Sequence, residues 1–253
     1  LNSPGSRAVL AVLADGYRPN ASQLFPPNAR TSLDDAFCPS FQSAGASGQF
    51  VADRARPGKG LDLMANLQPA RPLQPGDGVS CVAASSSLSS DGRLSQGIQL
   101  LESWGLTVHP QALSERYWGY LAGSDQERRK DLEPKSDTAL LACARGGWGA
   151  ARLLEDKIAW QRGWLLGFSD VTALLWARLA AGFAGGVHGP LLTTLAAEPE
   201  WSQERLRKLL FGESIPDLHG QGSGGAKPSG PLLVANPPVA PPLLATIHTH
   251  NLP

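Results

Sequence analysis

The chain has 253 residues, and its 22 Lys plus Arg balance 22 Asp plus Glu, so the formal net charge is zero. That length suits one large domain or two small ones, and the charge balance argues against a nucleic-acid surface or an acidic tail. Cys38, Cys81 and Cys143 show neither CxxC nor metal-ligand spacing, no apolar run is long enough to cross a bilayer, and a reduced, cytoplasmic setting fits best.

Residues 1–63 carry scattered Pro, Gly, Ser and Asn with no sustained period, so they are expected to form a disordered or read-through extension. The apolar stretch over 8–14 is too short and too poorly flanked to be a signal peptide. Met64, the single methionine, stands just before the first organised region and is expected to approximate the natural start. From Arg71 the pattern changes. Pro75-Gly76-Asp77-Gly78 reads as a turn, and 79–84 as a short buried strand. The serine-rich loop 85–90 leads into a helix over 92–104, with Leu94, Ile98, Leu101 and Trp104 on its apolar face and Gly105 ending it. A strand over 106–108, a polar stretch and a charged helix over 126–132 follow. Residues 138–144 are continuously small or apolar, as a strand covered on both faces should be. Cys81 and Cys143 lie in such runs and read as small buried hydrophobes.

Arg145-Gly146-Gly147-Trp148-Gly149 then turns the chain into a helix over 150–154. A strand over 164–168 stops at Ser169, and a helix pattern begins at once, with Val171, Leu174, Leu175 and Leu179 at helical spacing and Gly182 placed to close it. The alternation predicts an α/β fold, a doubly wound and mostly parallel sheet over 71–219. Residues 220–230 read as a Gly-rich linker, and 231–253 as the start of a second domain that does not continue.

In such a sheet ligands bind outside the carboxyl ends of the strands, which would bring together Ser85 and Ser86, the Gly146 turn, and Ser169-Asp170. A serine at a strand-to-helix turn is the geometry of a nucleophile elbow. Serine and aspartate are equally good helix caps, the commoner role, and the usual elbow glycine two residues on is Val171 here. The glycine turn has three readings: first a tight turn that needs glycine dihedrals, then an oxyanion-hole partner for Ser169, last a nucleotide cradle. His109 reads as structural. His188 could line the same edge, although a structural role is the commoner one. His248 and His250 lack the neighbours that a metal site needs. No metal centre is expected.

Taken in order, these motifs resemble the LD-carboxypeptidase family of serine peptidases. The resemblance is carried by Leu73-Gln74-Pro75-Gly76-Asp77, Val82-Ala83-Ala84-Ser85-Ser86, Leu101-Glu102-Ser103-Trp104-Gly105-Leu106 and Gly119-Tyr120-Leu121-Ala122-Gly123-Ser124-Asp125. It continues through 143–154, Gly167-Phe168-Ser169-Asp170 and His188-Gly189-Pro190, in family order. The resemblance implies Ser169 as nucleophile and an oxyanion hole from the backbone of Asp170 with Gly146 or Gly147. Ser85, Ser86, Arg145, Trp148 and His188 are candidates to bind substrate. It further implies removal of a terminal D-alanine from cytoplasmic muropeptides in cell-wall recycling, with no cofactor, no nucleic-acid or membrane partner, and room for a homodimer. Some members instead hydrolyse peptidyl-nucleotide antibiotics. The family's glutamate and histidine come from a C-terminal domain and have no counterpart in this sequence. The chain is therefore expected to be truncated and a weak or inactive peptidase, or a muropeptide-binding remnant.

Overall fold

The computed structural model describes residues 67–109, 111–217 and 233–244. The expected extension over 1–63, the Met64 start, the linker and the histidines at 219, 248 and 250 lie outside these residues.

Five strands form one sheet: β1 (Gly78–Val82), β2 (Thr107–His109), β3 (Thr138–Cys143), β4 (Trp164–Gly167) and β5 (Gly186–His188). Their order is β2-β1-β3-β4-β5, and every neighbouring pair is parallel, as the alternating pattern predicts. The helices are α1 (Arg93–Ser103), α2 (Asp125–Lys130), α3 (Thr172–Ala180), α4 (Leu192–Leu195), α5 (Glu200–Leu210) and α6 (Ala240–Leu244). From β1 the chain goes outward to β2, then returns past β1 to build β3, β4 and β5 on the other side. The switch point therefore lies between β1 and β3, where an open α/β sheet leaves a crevice at its carboxyl edge.

Successive residues of each strand face opposite covers. Val79, Cys81, Leu140, Ala142 and Leu166 join Leu101, Leu192, Leu206 and Leu210 in one core. Val82, Leu141, Cys143 and Leu165 join Leu132, Leu153, Leu174 and Leu175 in the other. Burial on both faces explains why the strands read as unbroken apolar runs. On α1 the buried Gly97 is the closest-packed point: a Cβ there would approach the carbonyl carbon of Leu192 to 2.8 Å. Its missing side chain is what lets α4 lie against α1.

Two local forms differ from the sequence reading. The segment expected as a helix over 150–154 is a 3-10 turn, Ala151–Glu155. The backbone N–H of Ala150 at its start donates to the Asp170 carboxylate across the site. The helix expected directly after β4 begins with a 3-10 turn, Ser169–Val171, and turns α-helical only at Thr172. The cause is the left-handed backbone of Ser169, which cannot start an α-helix. No helix among the described residues is long and apolar enough to cross a membrane.

Candidate active site

Three loops leave the carboxyl edge of β1, β3 and β4, and their polar groups tie them together. Ser86 donates its backbone N–H to the Gly146 carbonyl at 3.3 Å, and Trp148 donates its N–H to Ser86 Oγ at 3.3 Å. Arg145 Nη1 donates to the Ser87 carbonyl at 2.6 Å. Beneath them Arg128, wholly buried, donates from Nη1 to the carbonyls of Ala84 and Gly149, while its Nη2 pairs with Asp125. One guanidinium thus holds the exit of β1 and the glycine turn after β3 in register.

The third loop is joined through Asp170. Its buried Oδ2 accepts from Ser85 Oγ at 2.9 Å and from the Ala150 N–H at 2.7 Å. Burial pushes this carboxyl above the usual range, and the two hydrogen bonds, with the Arg128 charge, oppose the shift. The side chain therefore braces three loops and does not cap the helix that it opens.

Ser169 is half-buried and has φ 61°, the one positive value outside glycine among the described residues. An L-residue held in that region costs roughly 1–3 kcal/mol and persists where its surroundings over-determine it. Neither the 3-10 turn nor α3 has a side-chain cap, so capping is not what this serine does. Val171 occupies the usual elbow-glycine position because Gly167 gives up the space instead. A Cβ on Gly167 would stand 2.9 Å from Val171 Cβ. Gly146 comes as close from the other side: its missing Cβ would lie 2.9 Å from Ser169 Cβ and 3.3 Å from Oγ. Among the described residues the N–H groups of Gly146 and Gly147 carry no hydrogen bond.

His188 sits below the elbow, 3% exposed, with its ring edge-on to Phe168 at 5.0 Å. Burial lowers its pKa to about 4, so the imidazole is neutral at pH 7. Its Nε2 lies 3.4 Å from Thr172 Oγ1, and it makes no hydrogen bond to Ser169. The hydroxyl of Ser169 is met by Asn236 Nδ2, at 3.3 Å, from the segment that packs on α3. Cys81 is no rival nucleophile, since burial pushes its thiol up to about 12, and Cys143 is pushed up likewise. Among the described residues no group of three or more His, Cys, Asp or Glu could hold a metal ion.

A serine hydroxyl on a strained elbow, with a glycine turn packed against it, is the equipment of acyl transfer through a serine. Residues 79–189 match the model of the LD-carboxypeptidase N-terminal domain. Residues 79–189 are thus a domain of LD-carboxypeptidase N-terminal type. Over 190 residues it is 44% identical to a putative carboxypeptidase of Synechocystis, covering 71% of this chain and 61% of that protein. It is 34% identical over 150 residues to the murein tetrapeptide carboxypeptidase of Pseudomonas aeruginosa, covering 54% and 48% of the two. A probable murein peptide carboxypeptidase of Bacillus subtilis is 31% identical over 142 residues, with 51% and 42% covered. The chain thus spans 42% to 61% of the length of these relatives. In fold, the domain is similar to the microcin C7 self-immunity protein MccF, at TM-score 0.50 and 23% identity, over 56% of this chain and 46% of that one. A MccF-like protein from Bacillus anthracis gives TM-score 0.50 at 20% identity, again over 56% and 46%.

Of the sequence candidates, Ser85, Ser86, Arg145, Gly146, Gly147, Trp148, Ser169 and Asp170 meet at the carboxyl edge of the LD-carboxypeptidase domain. His188 lies beneath them. Sequence reasoning missed Arg128, Thr172 and Asn236. Arg128 looked like one more charge on a polar helix. Thr172 had a usable signal, one helical turn after the serine, whereas Asn236 is 67 residues from the hydroxyl it meets.

Proposed function

We propose that the protein is a serine LD-carboxypeptidase that releases the terminal D-alanine of a murein tetrapeptide in the cytoplasm. The observation that carries this reading is Ser169, held at positive φ against Gly146. In the proposed reaction Ser169 Oγ adds to the carbonyl carbon before the terminal D-alanine, and its proton passes to a base. The developing oxyanion accepts from the amides of Asp170 and Gly146 or Gly147. Collapse expels D-alanine, which leaves with a proton, and water then hydrolyses the acyl-serine. Exposed Trp148 and Arg145 stand beside this corner as candidate contacts for the peptide.

Among the described residues the partner of Ser169 Oγ is the Asn236 amide, a donor that cannot take up the hydroxyl proton. The test is to treat the purified chain with a fluorophosphonate, map the adduct, and measure D-alanine released from L-Ala-γ-D-Glu-meso-diaminopimelyl-D-Ala. The adduct is expected on Ser169 and absent from Ser169→Ala, with release of D-alanine above that variant. Labelling elsewhere, or equal release by the two proteins, sinks the proposal.

A further inference from the structure

A threonine hydroxyl has one proton to give and two lone pairs to receive with. Thr172 Oγ1 uses all three. It donates to the Ser169 carbonyl at 2.6 Å and accepts the Asn236 backbone N–H at 3.1 Å. Its third neighbour is His188 Nε2, at 3.4 Å. Because the threonine proton is spent on Ser169, the imidazole must donate, which places its hydrogen on Nε2 and leaves Nδ1 bare. Nδ1 is indeed buried without a hydrogen-bond partner.

From this accounting we propose that Thr172 is a positioning residue: its hydroxyl locks the carbonyl of the strained Ser169 and seats Asn236 against the Ser169 hydroxyl. Three chain segments far apart in sequence meet on this one oxygen: the elbow, the end of β5, and residues 233–236. The last is clamped twice on α3, by Thr172 at Asn236 and by Trp176, whose Nε1 donates to the Val234 carbonyl at 2.8 Å. With its backbone fixed there, Asn236 reaches Ser169 Oγ with Nδ2. The serine oxygen then receives a donor on that side, so its own proton is turned away from Asn236. The hydroxyl is oriented before any base or substrate arrives, which deepens the reading of Ser169 as nucleophile and rests on it.

The test compares the full chain with Thr172→Val and Thr172→Ser by amide hydrogen exchange and by the rate of fluorophosphonate labelling at Ser169. One lost hydrogen bond of this kind corresponds to about tenfold. Thr172→Val is expected to speed exchange of the Asn236 amide and slow labelling by about that factor, while the amides of Leu175–Arg178 keep their protection; Thr172→Ser restores both. Asn236→Ala is expected to slow labelling similarly, and the double variant Thr172→Val/Asn236→Ala to slow it by less than the two losses combined. Unchanged Asn236 exchange in Thr172→Val, a loss that serine does not restore, or additive losses in the double variant each overturn the proposal. If the valine variant loses α3 protection as a whole, Asn236→Ala decides: labelling at the wild-type rate overturns it. If wild-type Ser169 takes no label, the nucleophile reading fails, while Asn236 exchange still reports whether Thr172 holds that segment.

Discussion

Gly146→Ala places one methyl directly against the elbow serine. Built on the observed backbone, its Cβ stands 2.9 Å from Ser169 Cβ, 3.2 Å from the Phe168 carbonyl oxygen and 3.3 Å from Ser169 Oγ. Gly146 is not among the positive-φ glycines, so the backbone itself accepts alanine and the cost is steric. Ser169 cannot easily yield, because Thr172 holds its carbonyl and the next residue, Asp170, is tied to Ser85 and Ala150. The methyl must therefore push the glycine turn outward, withdrawing its amides, or tilt the serine. Overpacking of this kind costs about 1–3 kcal/mol. In a domain of this size that corresponds to a fall of roughly 2–4 °C in Tm per kcal/mol. The effect on chemistry is larger, since a displacement of ~1 Å at the reacting atom costs on the order of a hundredfold. Fluorophosphonate labelling kinetics and a thermal melt measure the two separately. Labelling slowed on the order of a hundredfold, with a Tm lower by several degrees, is the expected result. Labelling at the wild-type rate with an unchanged melt would show that Gly146 does not confine the serine, and would refute the reasoning.

Two further outcomes follow from charge. Because burial raises the Asp170 pKa in the folded state, the fold favours its protonated form, and ionisation as pH rises through the folded pKa removes stability. Asp170→Asn keeps an acceptor for Ser85 and Ala150 without the charge, so its Tm relative to wild type should climb as pH rises through that range. Asp170→Ala leaves both donors unmet and should cost about 2–3 kcal/mol in urea unfolding. For His188 the sign is opposite: its folded pKa of about 4 lies below the unfolded value of 6.5. Its contribution is full above pH 6.5 and is lost as pH falls towards 4, by roughly 3 kcal/mol in all. His188→Gln should flatten stability across that window; an unchanged pH profile would show that the ring is hydrated or partnered.

Ser169 shows how far local pattern reaches. An apolar run ending at a serine, followed by helical spacing, located the corner. Capping, the commoner role for a serine there, was removed only by a φ of 61° and the absence of any side-chain cap. Asp170 was legible as a backbone donor, yet its carboxylate turned out to brace Ser85 and Ala150, 85 and 20 residues away. Gly167 supplies the close approach that the pattern assigned to the position of Val171, because what the elbow needs is one missing Cβ between two neighbours, on either side.

The amino-acid order alone determined strands β1 to β4, helices α1 to α3, the parallel sheet and the loops at its carboxyl edge. Burial on two faces imposes periodicities that a linear reading detects. Only the folded chain decided which groups meet. Arg128 under the glycine turn, Thr172 on the backbone of Asn236 and Asn236 on the serine are pairings of polar atoms across 21 to 67 residues. Hydrogen bonds at such separations leave no periodic trace, since each depends on where a few atoms come to rest once both cores have packed.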